Sequence, residues 1–176
     1  MISIESISSE LKSIIEKSGI FLKDEEIAKL EMTDFGLGKF REQGLALHTY
    51  VNTTRCCAKE LIMLPYQSCP EHIHPTIDMT AGKEETFRCR FGCVSIFIFG
   101  PTTENPAVLP PKDNESFTVF REVVLEQGDQ LTLYPDSKHW FKAHGDGAVV
   151  SEFSTNSNDD TDFFTNPNIQ RESRLT

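Results

Sequence analysis

The chain has little with which to join a membrane, a nucleic acid or an oxidising compartment. No apolar run approaches the roughly 18 residues that a membrane-spanning helix needs. The opening segment MISIESISSE is polar and acidic and lacks the basic start of a secretory leader. Basic residues are scarce, 17 against 27 acidic ones, and the net charge of −10 repels phosphate backbones and anionic lipids. Neither nucleic acid nor a membrane is therefore expected as a partner. The five cysteines, Cys56, Cys57, Cys69, Cys89 and Cys93, are odd in number and unevenly spaced. That pattern fits the reduced thiols of a cytoplasmic protein better than a disulfide framework. Cys89 and Cys93 have no convincing second pair with which to complete a four-thiolate zinc site. A chain of 176 residues is long enough to bury a core without such staples, and a single domain over 1–176 is expected.

What is present begins with helical spacing. Ile4, Ile7, Leu11, Ile14 and Ile15 recur at intervals of three and four, with Gly19 just beyond, which predicts an amphipathic helix. A second short helix is expected from an N-cap at Asp24, with Glu25 and Glu26 in its first turn. These make 1–36 a helical N-terminal extension. From Leu45 the period changes to two. Strands are predicted over Leu45–Val51, Cys57–Leu64, Glu85–Phe91, Cys93–Phe99, Ser116–Leu125, Gln130–Tyr134, His139–Ala143 and Ala148–Thr155, seven or eight in all. Gly92, Gly128, Pro135 and the Gly145–Gly147 pair stand between them as turns. Short strands without interposed helices imply an all-β antiparallel jelly roll over 45–168. Phe163 and Phe164 argue that the C-terminal segment packs back on it, leaving 169–176 as a tail.

The stretch Cys69–Gly92 carries the chemistry. His72 and His74, two apart, leave the same face of an extended strand and can reach one point. On the next strand Glu85, Phe87, Cys89 and Phe91 share a face, which sets a carboxylate in an apolar row where it needs a cation. Glu84 is the competing candidate, and alternation favours Glu85. Farther on, Gly128–His139 forms another strand, turn and histidine unit.

In these two segments the chain resembles the cupins. His72, His74, Glu85 and Gly92, with six residues between the last two, match the first cupin motif; Gly128, Pro135 and His139, with eleven positions from Gly to His, match the second. The departures are the absence of a Gly six residues before His72, the absence of an Asn four after His139, Pro135 lying one residue late, and ten residues between His74 and Glu85, more than the family has. The long spacing and the run LTLYPDSKHWFKAHGDGAVVSEFSTNSNDDTDFF are similar to a narrower group, the small bacterial D-lyxose isomerases, over roughly residues 20–168. The resemblance implies a cupin jelly-roll barrel with one or two short N-terminal helices and aldose–ketose isomerisation. It also implies a homodimer and Mn2+ bound by His72, His74, Glu85 and His139.

Three imidazoles and a carboxylate suit Mn, Fe, Co or Zn with positions open to substrate. Aldose–ketose chemistry through a metal-stabilised enediolate then needs a base to carry a proton between carbons two and one. Glu152, a charge amid β-branched and aromatic neighbours, and Lys83, two residues before Glu85, are the candidates. Asp160 and Asp162, within the Asp159–Asp162 run, read more readily as a solvated turn. His144 reads as a surface residue or one lying behind the site, His48 as a hydrogen-bonded structural residue, and Trp140 as core. Arg88 and Arg90 share the face opposite Glu85, which favours a free sugar over a phosphorylated one. Two other readings stand beside the isomerase: a cupin dioxygenase, whose pocket can be largely apolar, and a sugar-binding cupin without turnover.

Overall fold

The computed structural model describes residues 4–112, 115–158 and 161–170. The helix predicted at the start is α1 (Ile4–Ser18), and its apolar stripe is buried through Ile7, Leu11, Ile14 and Ile15. The stripe lies in one apolar cluster with Ala46, Ile62 and Val149. Their neighbours Leu45, Leu47, Leu61, Met63, Ala148 and Val150 belong instead to the barrel interior, as alternation along a strand requires. α2 (Asp24–Ile27) starts one residue earlier than expected, because Lys23 is the N-cap and its amide donates to the Glu26 carboxylate at 2.8 Å. Asp24 accepts from Lys12 instead, also at 2.8 Å.

The strands are β1 (Glu31–Thr33), β2 (Leu45–Asn52), β3 (Cys57–Met63), β4 (Ser68–Ile73), β5 (Glu85–Ile98), β6 (Arg121–Glu126), β7 (Gln130–Leu133), β8 (His139–Ser154) and β9 (Phe163–Phe164). They form one curled sheet in the order β1-β2-β3-β8-β4-β9, while β5 pairs with β6, β7 and β8. All of these pairings are antiparallel. β8 is the hub, pairing with β3, β4 and β5.

The structure adds β4 and β9 to the predicted strands and departs from the predicted spans elsewhere. β1 falls within the segment expected to be helical. The two strands expected on either side of Gly92 are one strand, β5, and the two on either side of the Gly145–Gly147 turn are one strand, β8. Gly92 (φ 70°) and Gly147 (φ 75°) absorb local kinks there rather than reversing the chain. The two strands approach so closely that a side chain at Gly92 would strike the Gly147 carbonyl. The register shift between Cys89 and Phe91 turns Phe91 out of the interior row, so that it packs with the α1 cluster instead. Finally, residues 116–120 are not a strand. The amides of Thr118 and Val119 donate to the buried Glu71 carboxylate, at 2.5 and 3.0 Å, and are lost to any ladder. Phe117 and Val119 still pack on Trp140, a core residue as expected, whose ring stacks on Phe97 at 3.8 Å and whose indole N–H donates to the Val119 carbonyl. The C-terminal segment returns to the sheet through the pairing of β9 with β4, with Phe164 packed on the interior and Phe163 exposed. Of the expected tail, 171–176 lies outside the described residues, and Ile169 packs on the interior cluster.

Candidate metal centre and its pocket

His72 lies in β4 and His74 one residue past its end; Glu85 opens β5 and His139 opens β8. β4 and β8 pair His72 with His139, whereas Glu85 pairs with Ser154 at the far end of β8 and with Leu133 of β7, so it is the curl of the sheet that brings the four side chains together. Each offers a ligand atom, and these atoms all lie within 4.8 Å of one another. All four residues are buried, Glu85 to 1% exposure.

The orientation of each imidazole follows from its other nitrogen. Nδ1 of His72 donates to the Pro70 carbonyl at 2.8 Å, and Nδ1 of His139 to the Ser137 carbonyl at 3.0 Å. Carbonyls only accept, so these Nδ1 atoms carry the hydrogens and Nε2 is left with a free lone pair. Nδ1 of His74 faces the Asp162 carboxylate at 2.5 Å. Nε2 of His139 and of His74 lie 3.0 and 3.3 Å from Oε1 of Glu85. None of these three buried atoms has a hydrogen-bond partner among the described residues. Converging buried lone pairs without partners are costly, and a divalent cation resolves the conflict. The donor set therefore fits a metal of the Mn, Fe, Co or Zn type.

Glu85 divides its two oxygens. Oε1 faces the imidazoles, while Oε2 accepts from Nζ of Lys83 at 2.7 Å. Burial alone would raise the Glu85 carboxyl, but the Lys83 ammonium and the neighbouring His139 and His74 hold it well below the usual carboxylate range. Burial likewise works against a charged Lys83, and the carboxylates of Glu85 and Glu152 outweigh it, raising the ammonium above its ordinary value. For His72 burial dominates and pushes the imidazole well below its usual range, toward the neutral form a ligand needs. At His74 burial also disfavours charge, but the carboxylates of Asp162 and Glu85 beside it reverse the sign and raise it to about 9.

The residues that the sequence singled out come together here. Glu152, on β8, points inward, and its Oε1 accepts from Lys83 Nζ at 3.1 Å and from the Ser154 hydroxyl at 3.3 Å. Glu84 is exposed, its backbone bonded to Thr155. His144 bonds to the Ser95 hydroxyl, and His48 lies 3.7 Å from Glu26, both away from the cluster. Asp162 departs from expectation: it is no solvated turn residue, with its side chain 11% exposed and bound to His74. Asp160 lies outside the described residues. Lys59, buried beside Glu152 on the neighbouring strand and within 3.0 Å of the Ser157 hydroxyl, also lines the pocket. Alternation on β3 places it on the interior face with Leu61, a signal the sequence already contained. The cavity enclosed by these groups with Phe35, Phe87, Phe141 and Phe164 measures about 40 Å³.

No protein-family profile matches the chain. It is 46% identical over 169 residues to the D-lyxose/D-mannose isomerase of Thermosediminibacter oceani, covering 96% of this chain and 93% of that one. It is 48% identical over 159 residues to the D-lyxose ketol-isomerase of Cohnella laeviribosi, covering 90% and 87%. Among solved structures, the L-ribose isomerase of Cellulomonas parahominis superposes with a TM-score of 0.73 at 19% identity, over 97% of this chain and 94% of that one. At that identity the likeness establishes the shared fold, the cupin jelly roll.

Proposed function

The chain belongs to the D-lyxose isomerase family, and we propose that it interconverts free D-lyxose and D-xylulose, and also D-mannose and D-fructose, with Mn2+ held by His72, His74, Glu85 and His139. The two aldoses share their configuration at carbons two and three, so one site can treat them alike. A divalent ion at this cluster supplies positive charge for the carbonyl oxygen and the adjoining hydroxyl oxygen of an open-chain sugar.

The observation that carries the reading is the inward carboxylate beside the ligand cluster. Glu152 lies in the same buried pocket, tied through Lys83 to the ligand Glu85. In the aldose-to-ketose direction, Glu152 accepts the proton from carbon two and returns it to carbon one, while a proton passes from the oxygen on carbon two to that on carbon one. Lys83 donates to the Glu152 carboxylate and holds it in place, which suits it to the oxygen-to-oxygen proton shift. A dioxygenase pocket has no need of this buried carboxylate–ammonium–carboxylate row, so the row favours the isomerase. Among the described residues no arginine lines the pocket; Arg88 bonds to Gln130 on the outer face. That supports an uncharged sugar.

The test is ketose formation from D-lyxose and D-mannose by metal-stripped protein, with and without added Mn2+. Turnover only with the ion is expected. Metal uptake without ketose from either sugar would sink the isomerase reading. We also propose a homodimer, as the family resemblance implies, to be checked by sedimentation. No helix among the described residues is long and apolar enough to cross a membrane.

A further inference from the structure

We propose that Asp162 is a positioning residue of the metal centre, carried there by the C-terminal segment 161–170, so that metal affinity depends on this segment being seated on the barrel. The proposal rests on the four-ligand reading above but not on the identity of the sugar.

The argument starts from the tautomer. A carboxylate can only accept, so the 2.5 Å contact from Asp162 Oδ1 fixes the hydrogen of His74 on Nδ1 and turns the bare Nε2 toward Glu85 and His139. His74 sits beyond the end of β4. There the strand no longer fixes the ring, and its Nδ1 partner is a side chain 88 residues away. Asp162 is thereby the link between the cluster and a separate part of the chain.

That part of the chain has its own anchors. The Thr165 amide donates to the Glu71 carbonyl at 3.1 Å, and the Thr165 hydroxyl donates to the Glu71 carboxylate at 2.7 Å. The Phe164 ring lies 5.4 Å from the His72 ring and 5.6 Å from that of Phe35. The Gln170 amide donates to the Phe35 carbonyl at 2.8 Å. These contacts set where Asp162 comes to rest. β9 is only two residues long, so seating is a separable event that the loss of such contacts can break. Asp162 and Phe164 both line the pocket beside the cluster.

The experiment is calorimetric titration of Mn2+ into the metal-free full-length protein, which reads affinity without turnover. Asp162→Ala is expected to weaken binding by about 10- to 100-fold, the usual effect of removing a carboxylate behind a ligating histidine. Asp162→Asn, whose amide oxygen can still accept from Nδ1, should lose less. Thr165→Val removes an anchor without touching a ligand. It should weaken binding in the native background and add little to Asp162→Ala, because both act through one contact. Melting of the metal-free variants should stay close to that of the parent. Affinity of Asp162→Ala within about twofold of the parent overturns the proposal, since such support normally matters far more. So does a Thr165→Val effect that adds in full to Asp162→Ala, or a loss of affinity matched by collapse of the metal-free fold. A parent protein that takes up no Mn2+ overturns the four-ligand reading, and this role with it.

Discussion

His72 and His139 are turned toward the cluster by carbonyls two residues back in their own chain, Pro70 and Ser137, whereas His74 is turned by Asp162, 88 residues downstream. The first arrangement is local: Pro70 lies in β4 and Ser137 in the turn leading into β8, so both rings are oriented once these strands and that turn are formed. The second exists only after the C-terminal segment has found its seat. One half of the centre is thus as secure as the sheet, and the other half is as secure as a short segment resting on it. On the proposed reading, the difference separates residues that would hold the ion from residues that would decide how well it is held.

Removing a ring from the secure half gives the largest expected effect. His139→Ala should abolish retention of Mn2+ through gel filtration, with far-ultraviolet circular dichroism unchanged; metal content equal to the parent would remove His139 from the ligand set. Glu152→Gln comes next and leaves both halves of the centre in place. Turnover of D-lyxose should fall by about 10²- to 10⁴-fold, the contribution of a positioned base, while Mn2+ titrates as before. A variant retaining near-parent kcat would pass the role to Lys83. The smallest effect is expected from Phe164→Ala, which loosens the segment without removing a polar group. Mn2+ affinity should drop less than about tenfold, short of the loss expected for Asp162→Ala. A larger loss would mean that packing, rather than the carboxylate, orients His74.

The same division explains what was legible in the sequence. His72, His74, Glu85, Lys83 and Glu152 were all readable because period-two alternation assigns a face to each residue, or because close spacing ties it to one that is assigned. Lys59 was equally readable, since it shares a face with Leu61. Asp162 was not, because N-D-D-T-D has the composition of a solvated turn, and only tertiary return of the chain brings it to His74. Strand ends were misread wherever a distant group intervened. Gly92 and Gly147 have the look of turns, yet they lie inside long strands that approach one another too closely for a Cβ. Residues 116–120 have a strand's alternation, but Glu71 takes two of their amides. In each case the local signal was sound and a contact across the fold overruled it.

The hub position of β8 has a consequence for synthesis. β8 contributes His139 to the cluster and Glu152 to the pocket, and it supplies the shared edge for β3, β4 and β5. Its pairings with β3 join residues as far apart as Cys57 and Ser154. Chains whose contacts are this non-local fold slowly, on the order of milliseconds to seconds. Ribosomes add about 5–20 residues per second. His72, His74 and Glu85 therefore leave the ribosome several seconds before the strand that completes their site. Until then a bound ion would have an incomplete set of ligands, and β3, β4 and β5 would each present an unpaired edge. The nascent chain spends this interval exposed to the aggregation that unpaired strands invite.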